Sequence, residues 1–186
     1  KHEQDSIMKH YHPYFKLMEK KGEEDIKLFR EDYSRSLRAI IPDPGYKFYI
    51  ERKLKAIYDR GIMGTESTSL IEKENISSIQ IVKNNISILQ STSEIFSTKQ
   101  AYEELIHGDT VHYSRMLLQR CNLNNYLIPN LIYDKEKSKA SKEDLLNSVS
   151  WANGFVMNGQ RIIDRGEIVS PQTYNILKSL EREWDK

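Results

Sequence analysis

The sequence predicts an α+β fold, helix-rich with a small, mainly antiparallel sheet. Three observations predict it. Apolar residues recur at spacings of three and four over several segments, as in helices with one buried face. One segment, SIQIVKNNISILQ (78–90), alternates apolar and polar residues on either side of Asn84-Asn85, which reads as a hairpin. A second run, GFVMNGQRIIDRGEIV, carries apolar residues between glycines and reads as strands near 155–169. Helices with a small segregated sheet make α+β the class.

Each element follows in chain order. Residues 1–9 read as the end of a helix, broken near Pro13, and PYFKLM as a short extended segment. From Glu19 to Ile40 the pattern is helical, with Ile26, Phe29, Tyr33, Leu37 and Ile40 on one face. PDPGY (42–46) is a stop. A second helix runs from Phe48 to about Asp59 with Ile50, Leu54 and Ile57 inward, and Gly61 ends it. Residues 64–75 are polar and read as irregular. After the hairpin, Ser97 or Thr98 caps a helix in STKQAYEELIHG, and a short helix covers 110–121. YLIPNLIYD is extended and precedes a charged helix over 136–149. Ser170-Pro171 starts the last helix, 171–184, serine as cap and proline at the first helical position, with Tyr174, Leu177 and Leu180 buried.

Composition narrows the function. The 186 residues suffice for a sizeable core, and are read as a single domain over 1–186. Charged residues make up 30% of the chain yet leave a net charge of +1, which argues against nucleic acid as a partner. The lysines of 135–142 are interleaved with acids, as on a solvated helix face. No apolar run is long enough for a membrane span. Lys1 falls inside a helical pattern, so the chain is expected to be a piece of a longer protein. The one cysteine, Cys121, is expected to be a small core residue.

The chemistry-bearing residue types form no recognisable machinery. His10, His12, His107, Asp109 and His112 are the candidates for a metal site. However, His107 and His112 lie five apart, on different faces of any helix, and helix-end or exposed roles fit them better. Neither a nucleophile elbow nor a phosphate-binding glycine loop occurs; GIMGTEST (61–68) lacks the lysine and reads as a loop. No catalytic, metal or cofactor residue is therefore assigned, and the ligand-binding residues are unknown. Eleven tyrosines stand against five phenylalanines; Tyr11, Tyr14, Tyr33, Tyr46, Tyr49 and Tyr58 all precede residue 60. Half-buried helix packing accounts for them better than a ligand surface. Asp-Arg-Gly occurs at 59–61 and at 164–166; the second copy reads as a structural turn, with Arg165 and Glu167 outward, and the echo as coincidence.

The residues from 122 to 184 carry a resemblance. Pro129-Asn130-Leu131, Tyr133-Asp134, Gly159, Ile162, Arg165-Gly166-Glu167 and Val169 match a pattern of P-N-L-x-Y-D, charged helix, strand, G-x-x-I-V-x-x-G-E-x-V and final helix. The chain thus resembles the extracytoplasmic domain of the seven-transmembrane HD phosphohydrolases. It departs from the pattern at Trp151-Ala152-Asn153, where a proline–valine pair is expected. The resemblance implies a domain on the extracytoplasmic side of the bacterial cytoplasmic membrane, tethered by transmembrane helices of the same polypeptide. It also implies a distant HD domain that hydrolyses cyclic di-AMP with divalent metals held by His and Asp. No adjacent His-Asp pair occurs in the chain, so no catalytic residue carries over and no cofactor is expected here. The expected role is a sensor or ligand-binding domain that regulates that phosphodiesterase, its partner an unidentified extracytoplasmic ligand or protein. The alternative is a docking or dimerisation module, with a homodimer among its forms and no small ligand.

Overall fold

Six strands and seven α-helices follow one another in a computed structural model that describes residues 6, 9–153, 156 and 158–184. The chain divides into two compact units, His12–Lys135 and Lys1–Tyr11 with Glu136–Lys186.

In the first unit, strand β1 (Tyr14–Leu17) leads into α1 (Glu19–Arg35) and a 3-10 turn at Leu37–Ala39. Helix α2 (Pro44–Arg60) begins four residues before the expected start. Asp43 caps it by accepting from the Gly45 amide (2.8 Å), and Pro44 takes the first helical position, so PDPGY starts a helix as well as stopping one. Gly61 ends α2 at φ 103°, a conformation open to glycine, and a Cβ there would meet the Leu131 side chain at 2.5 Å. Strand β2 (Ile62–Met63) and helix α3 (Thr65–Lys73) occupy the segment read as a loop and irregular chain. Its Ser/Thr-rich sequence has weak helical propensity. Burial of Ile71, and bonds from the Thr68 amide and hydroxyl to the Gly64 carbonyl (2.9 and 3.0 Å), hold it.

Strands β3 (Ser78–Lys83) and β4 (Ile86–Ser91) form the expected hairpin, with Asn84 and Asn85 at φ 50° and 61° as a two-residue turn requires. Strand β5 (Phe96–Ser97) precedes α4 (Thr98–His107). Ser97 caps α4 through a reciprocal pair with Gln100 (3.1 and 3.0 Å). Helix α5 (Arg115–Arg120), capped by Ser114, and β6 (Leu131–Tyr133) complete the unit. The strand order is β4-β3-β1-β6-β2-β5. The sheet is mixed rather than purely antiparallel: β3 and β6 run antiparallel to β4 and β1, but β1–β3, β2–β5 and β2–β6 are parallel. Phe29, Tyr33, Tyr49, Ile50, Leu54, Leu105 and their neighbours form a helical core; Phe15, Met63, Ile71, Ile79 and Leu131 form a second core against the sheet.

The second unit contains α6 (Lys135–Asn153) from Glu136 onward and α7 (Pro171–Trp184). The Tyr11 hydroxyl donates to the Ser138 carbonyl at 3.2 Å within it. The helix read over 1–9 lies outside the described residues except at Ser6, which is helical, and Lys9, which is in a turn; Phe155 and Met157 lie outside them too. The strands expected near 155–169 do not form among the described residues of that stretch. Ile162-Ile163 and Ile168-Val169 stand side by side, so neither run keeps the alternation that one buried face needs. A local turn forms instead: the Glu167 amide donates to the Asp164 carbonyl (3.1 Å), and Gly166 takes φ 96°. On α7 the Ser170 hydroxyl accepts from the Thr173 amide as expected (3.1 Å), but Tyr174 and Leu177 are 52% and 37% exposed. A spacing of three, 174-177-180, walks around the helix, whereas the inward stripe is Thr173, Ile176 and Leu180, at three then four.

Close packing of α1 on α2 requires Gly22, where a Cβ would lie 2.9 Å from both Cβ and Cγ of Tyr58. Glycine to alanine inside an exposed helix is stabilising by about 1 kcal/mol. Here Gly22→Ala is expected to have the opposite sign and lower the unfolding free energy by about 1–2 kcal/mol, because Tyr58 has no flexible end at the contact. Urea denaturation measures it; a gain in stability would mean that the two helices separate without cost.

Candidate functional site

The most elaborate polar arrangement centres on Tyr58, near the end of the buried face of α2. Its hydroxyl lies 2.5 Å from Asp25 Oδ2 and 2.6 Å from the Tyr126 carbonyl, and accepts from the Ile128 amide at 3.1 Å. Burial, and then the Asp25 carboxylate beside it, hold this hydroxyl well above the usual phenol range. Asp25 is 4% exposed and is reached by Lys21 at 3.5 Å, one helical turn away. Asn130, 2% exposed, continues the network: its side chain accepts from the Ile62 amide (2.7 Å) and donates to the Tyr58 carbonyl (3.0 Å). Its main chain accepts from Met18 (2.8 Å) and donates to Ile62 (3.1 Å). One asparagine thus ties the exit of β1 at Met18 and the entry of β2 at Ile62 to the end of α2.

Above this network lies a cleft of about 650 Å³, whose walls come from α1, α2 and the end of β3. Leu17, Ile26 and Tyr58 supply its apolar surface; Arg30, Lys55 and Lys83 face Glu19, Glu23 and Asp59 around it. Lys83 reaches Glu19 at 3.4 Å, and Arg30 holds Glu51 through two nitrogens at 3.0 and 3.4 Å. A neighbouring hollow of about 310 Å³ shares Leu17, Asp59 and Lys83 and extends over Ile81 and Ile88 of the hairpin. These walls carry charges of both signs over small apolar patches. They offer no nucleophile with an adjacent base, and among the described residues no three His, Cys, Asp or Glu side chains converge.

The residues singled out from sequence are spread over the fold. His10 and His12 approach the Ser6 and Ser78 carbonyls, each at 3.2 Å. His107, the last residue of α4, pairs with Glu103 at 2.9 Å. Asp109 and His112 do meet, at 2.9 Å, in an exposed turn. The His112 amide, followed by its ring, holds the Asp109 carboxyl below its usual range. Arg161 reaches Asp164 (2.8 Å) and Glu143 (3.4 Å), and Glu167 accepts from the Asp164 amide (3.2 Å), so the second Asp-Arg-Gly segment is a turn closed on itself. In the first copy, Asp59 and Arg60 are the last turn of α2. The tyrosines pack as expected: Tyr11, Tyr33, Tyr49 and Tyr58 are buried, and Tyr46 meets Tyr113 edge-on at 5.1 Å. Sequence reasoning missed Asp25. Its signal was an acid placed in the apolar stripe that continues through Phe29 and Tyr33.

Cys121 is buried, and its thiol donates to the Leu117 carbonyl at 3.3 Å. Burial, opposed only by Arg120, pushes the thiol up to about 11 from an ordinary 9.0. Between those values the folded chain holds the proton that the unfolded chain has lost. The contribution of this group to stability therefore falls as pH rises through that window. Labelling with a water-soluble thiol reagent at pH 8 is expected to be slow in the folded chain and rapid in denaturant; rapid labelling of the folded chain would contradict this burial.

Comparison with known proteins adds one match. The family model described as 7TM-HD extracellular covers residues 4–182. No curated protein and no solved structure matches the chain significantly. No helix among the described residues is long and apolar enough to cross a membrane. The chain belongs to the 7TM-HD extracellular family and is an extracellular domain of a membrane protein.

Proposed function

We propose that this 7TM-HD extracellular domain is a sensor that regulates a cyclic di-AMP phosphodiesterase located elsewhere in the same polypeptide. The family match over residues 4–182 carries the reading. The cleft over Tyr58, lined by charges of both signs, supports it as the ligand site. In this reading the domain lies on the outer side of a bacterial cytoplasmic membrane. Hydrolysis belongs to an HD domain whose His and Asp residues hold divalent metals, and none of this chain's side chains takes part in it. A ligand regulates such a protein only by binding its two states with different affinity. Transmembrane helices of the same polypeptide then carry the difference to the HD domain.

A thermal-shift screen of the chain against cell-wall fragments, nucleotides and small metabolites tests the first step. A ligand at a hundred times its dissociation constant is expected to raise the midpoint by about 5 °C or more, from about 2.7 kcal/mol of linkage. The double charge reversal Lys55→Glu with Asp59→Lys is expected to abolish the shift while leaving the unliganded midpoint close to the parent's. No hit in any of these classes, or a hit indifferent to the cleft variant, would count against the reading.

A further inference from the structure

Strand β4 is one edge of the sheet, and its six residues, Ile-Ser-Ile-Leu-Gln-Ser, contain no charge and no proline. Both are devices by which proteins keep sheet edges from pairing. Ile86, Ile88 and Leu89 are 63%, 56% and 53% exposed. The two-residue turn fixes which main-chain groups are free. Lys83 and Ile86 close the hairpin, and Ile81 with Ile88 and Ile79 with Gln90 repeat that pairing at steps of two. The amides and carbonyls of the alternate residues Ser87, Leu89 and Ser91 therefore point away from β3, along the open edge.

We propose that this edge is an interface at which β4 pairs antiparallel with β4 of a second copy of the chain. A two-fold axis through Leu89 places Leu89 opposite itself and Ser87 opposite Ser91. The outward amides of one strand then face the outward carbonyls of the other. Ile88 meets Gln90 of the other copy on the opposite face. No charge of the strand meets a like charge, so the edge is complementary to itself, where a basic or acidic partner would find nothing to pair with. One strand pair is small beside the roughly 1,200 Å² of a stable interface, so the dimer is weak for the free domain. Tethering in one membrane raises the effective concentration and favours it; this last step alone rests on the membrane reading.

Sedimentation equilibrium of the 186-residue chain from micromolar to millimolar concentration, with amide exchange, tests the proposal. The mass average is expected to rise toward two chains, and the amides of Ser87, Leu89 and Ser91 to gain protection as it does. Leu89→Lys, which sets two lysines against each other on the axis, is expected to hold the chain monomeric with an unchanged melting midpoint. Should that variant unfold, Ser87→Pro removes an outward amide without touching the β3 ladder and carries the same expectation. A chain that stays monomeric throughout overturns the proposal. So does a dimer insensitive to these variants, or edge amides protected only by an added extended peptide. None of these outcomes bears on ligand binding in the cleft.

Discussion

The hydroxyl of Tyr58 is the point on which the first unit depends. Around it converge a carboxylate from α1 and a carbonyl and an amide from the 126–128 segment, while Asn130 donates to the main-chain carbonyl of the same tyrosine. A carboxylate that is 4% exposed is costly unless it is paired and hydrogen-bonded. Tyr58 and Lys21 answer that cost for Asp25. The same contact fixes how closely α1 and α2 approach, which is why only glycine fits at position 22. Tyr126 repeats the device on the far side of Phe29, donating to Asp32 at 2.6 Å and meeting the Phe29 ring edge-on. The helical core is thus apolar in volume and pinned at two points by tyrosine–aspartate pairs, with no buried side-chain nitrogen or oxygen among the described residues left unpartnered.

Much of this was legible in the sequence, and the failures have physical reasons. The Asn-Asn hairpin, the Ser97 cap, the Gly61 stop and the Ser170-Pro171 helix start are local rules, and each is met locally. The helix over Thr65–Lys73 was not legible, because tertiary burial of Ile71 overrides a poor propensity. Among the described residues, the strands expected near 155–169 do not form, for the converse reason: apolar residues without alternation form no ladder unless a partner strand imposes one. The parallel pairings of β1 with β3 and of β2 with β5 and β6 join segments distant in sequence, which periodicity cannot see. The cleft was invisible because its residues are unremarkable singly; they line one hollow only when α1, α2 and the hairpin meet.

The family pattern takes on a physical meaning in this light. Asn130, read from sequence as one letter of Pro-Asn-Leu, occupies the junction of α2 with the exit of β1 and the entry of β2. The Asp134 amide donates to the Tyr14 carbonyl, and its carboxylate meets Lys16 at 3.6 Å; Tyr133 tilts against Phe15 at 5.5 Å. In the second unit, Gly166 and Glu167 close a turn. These residues of the pattern serve the scaffold. The uncharged sheet edge lies outside the pattern, and the cleft of mixed charge meets it at Asn130.

The Tyr58 network is the keystone of the first unit. Tyr58→Phe keeps the ring and its packing and removes one oxygen, leaving the Asp25 carboxylate and the Ile128 amide without that partner. Equilibrium urea unfolding of this variant is predicted to show a loss of about 2–4 kcal/mol. A variant within about 0.5 kcal/mol of the parent would contradict the account.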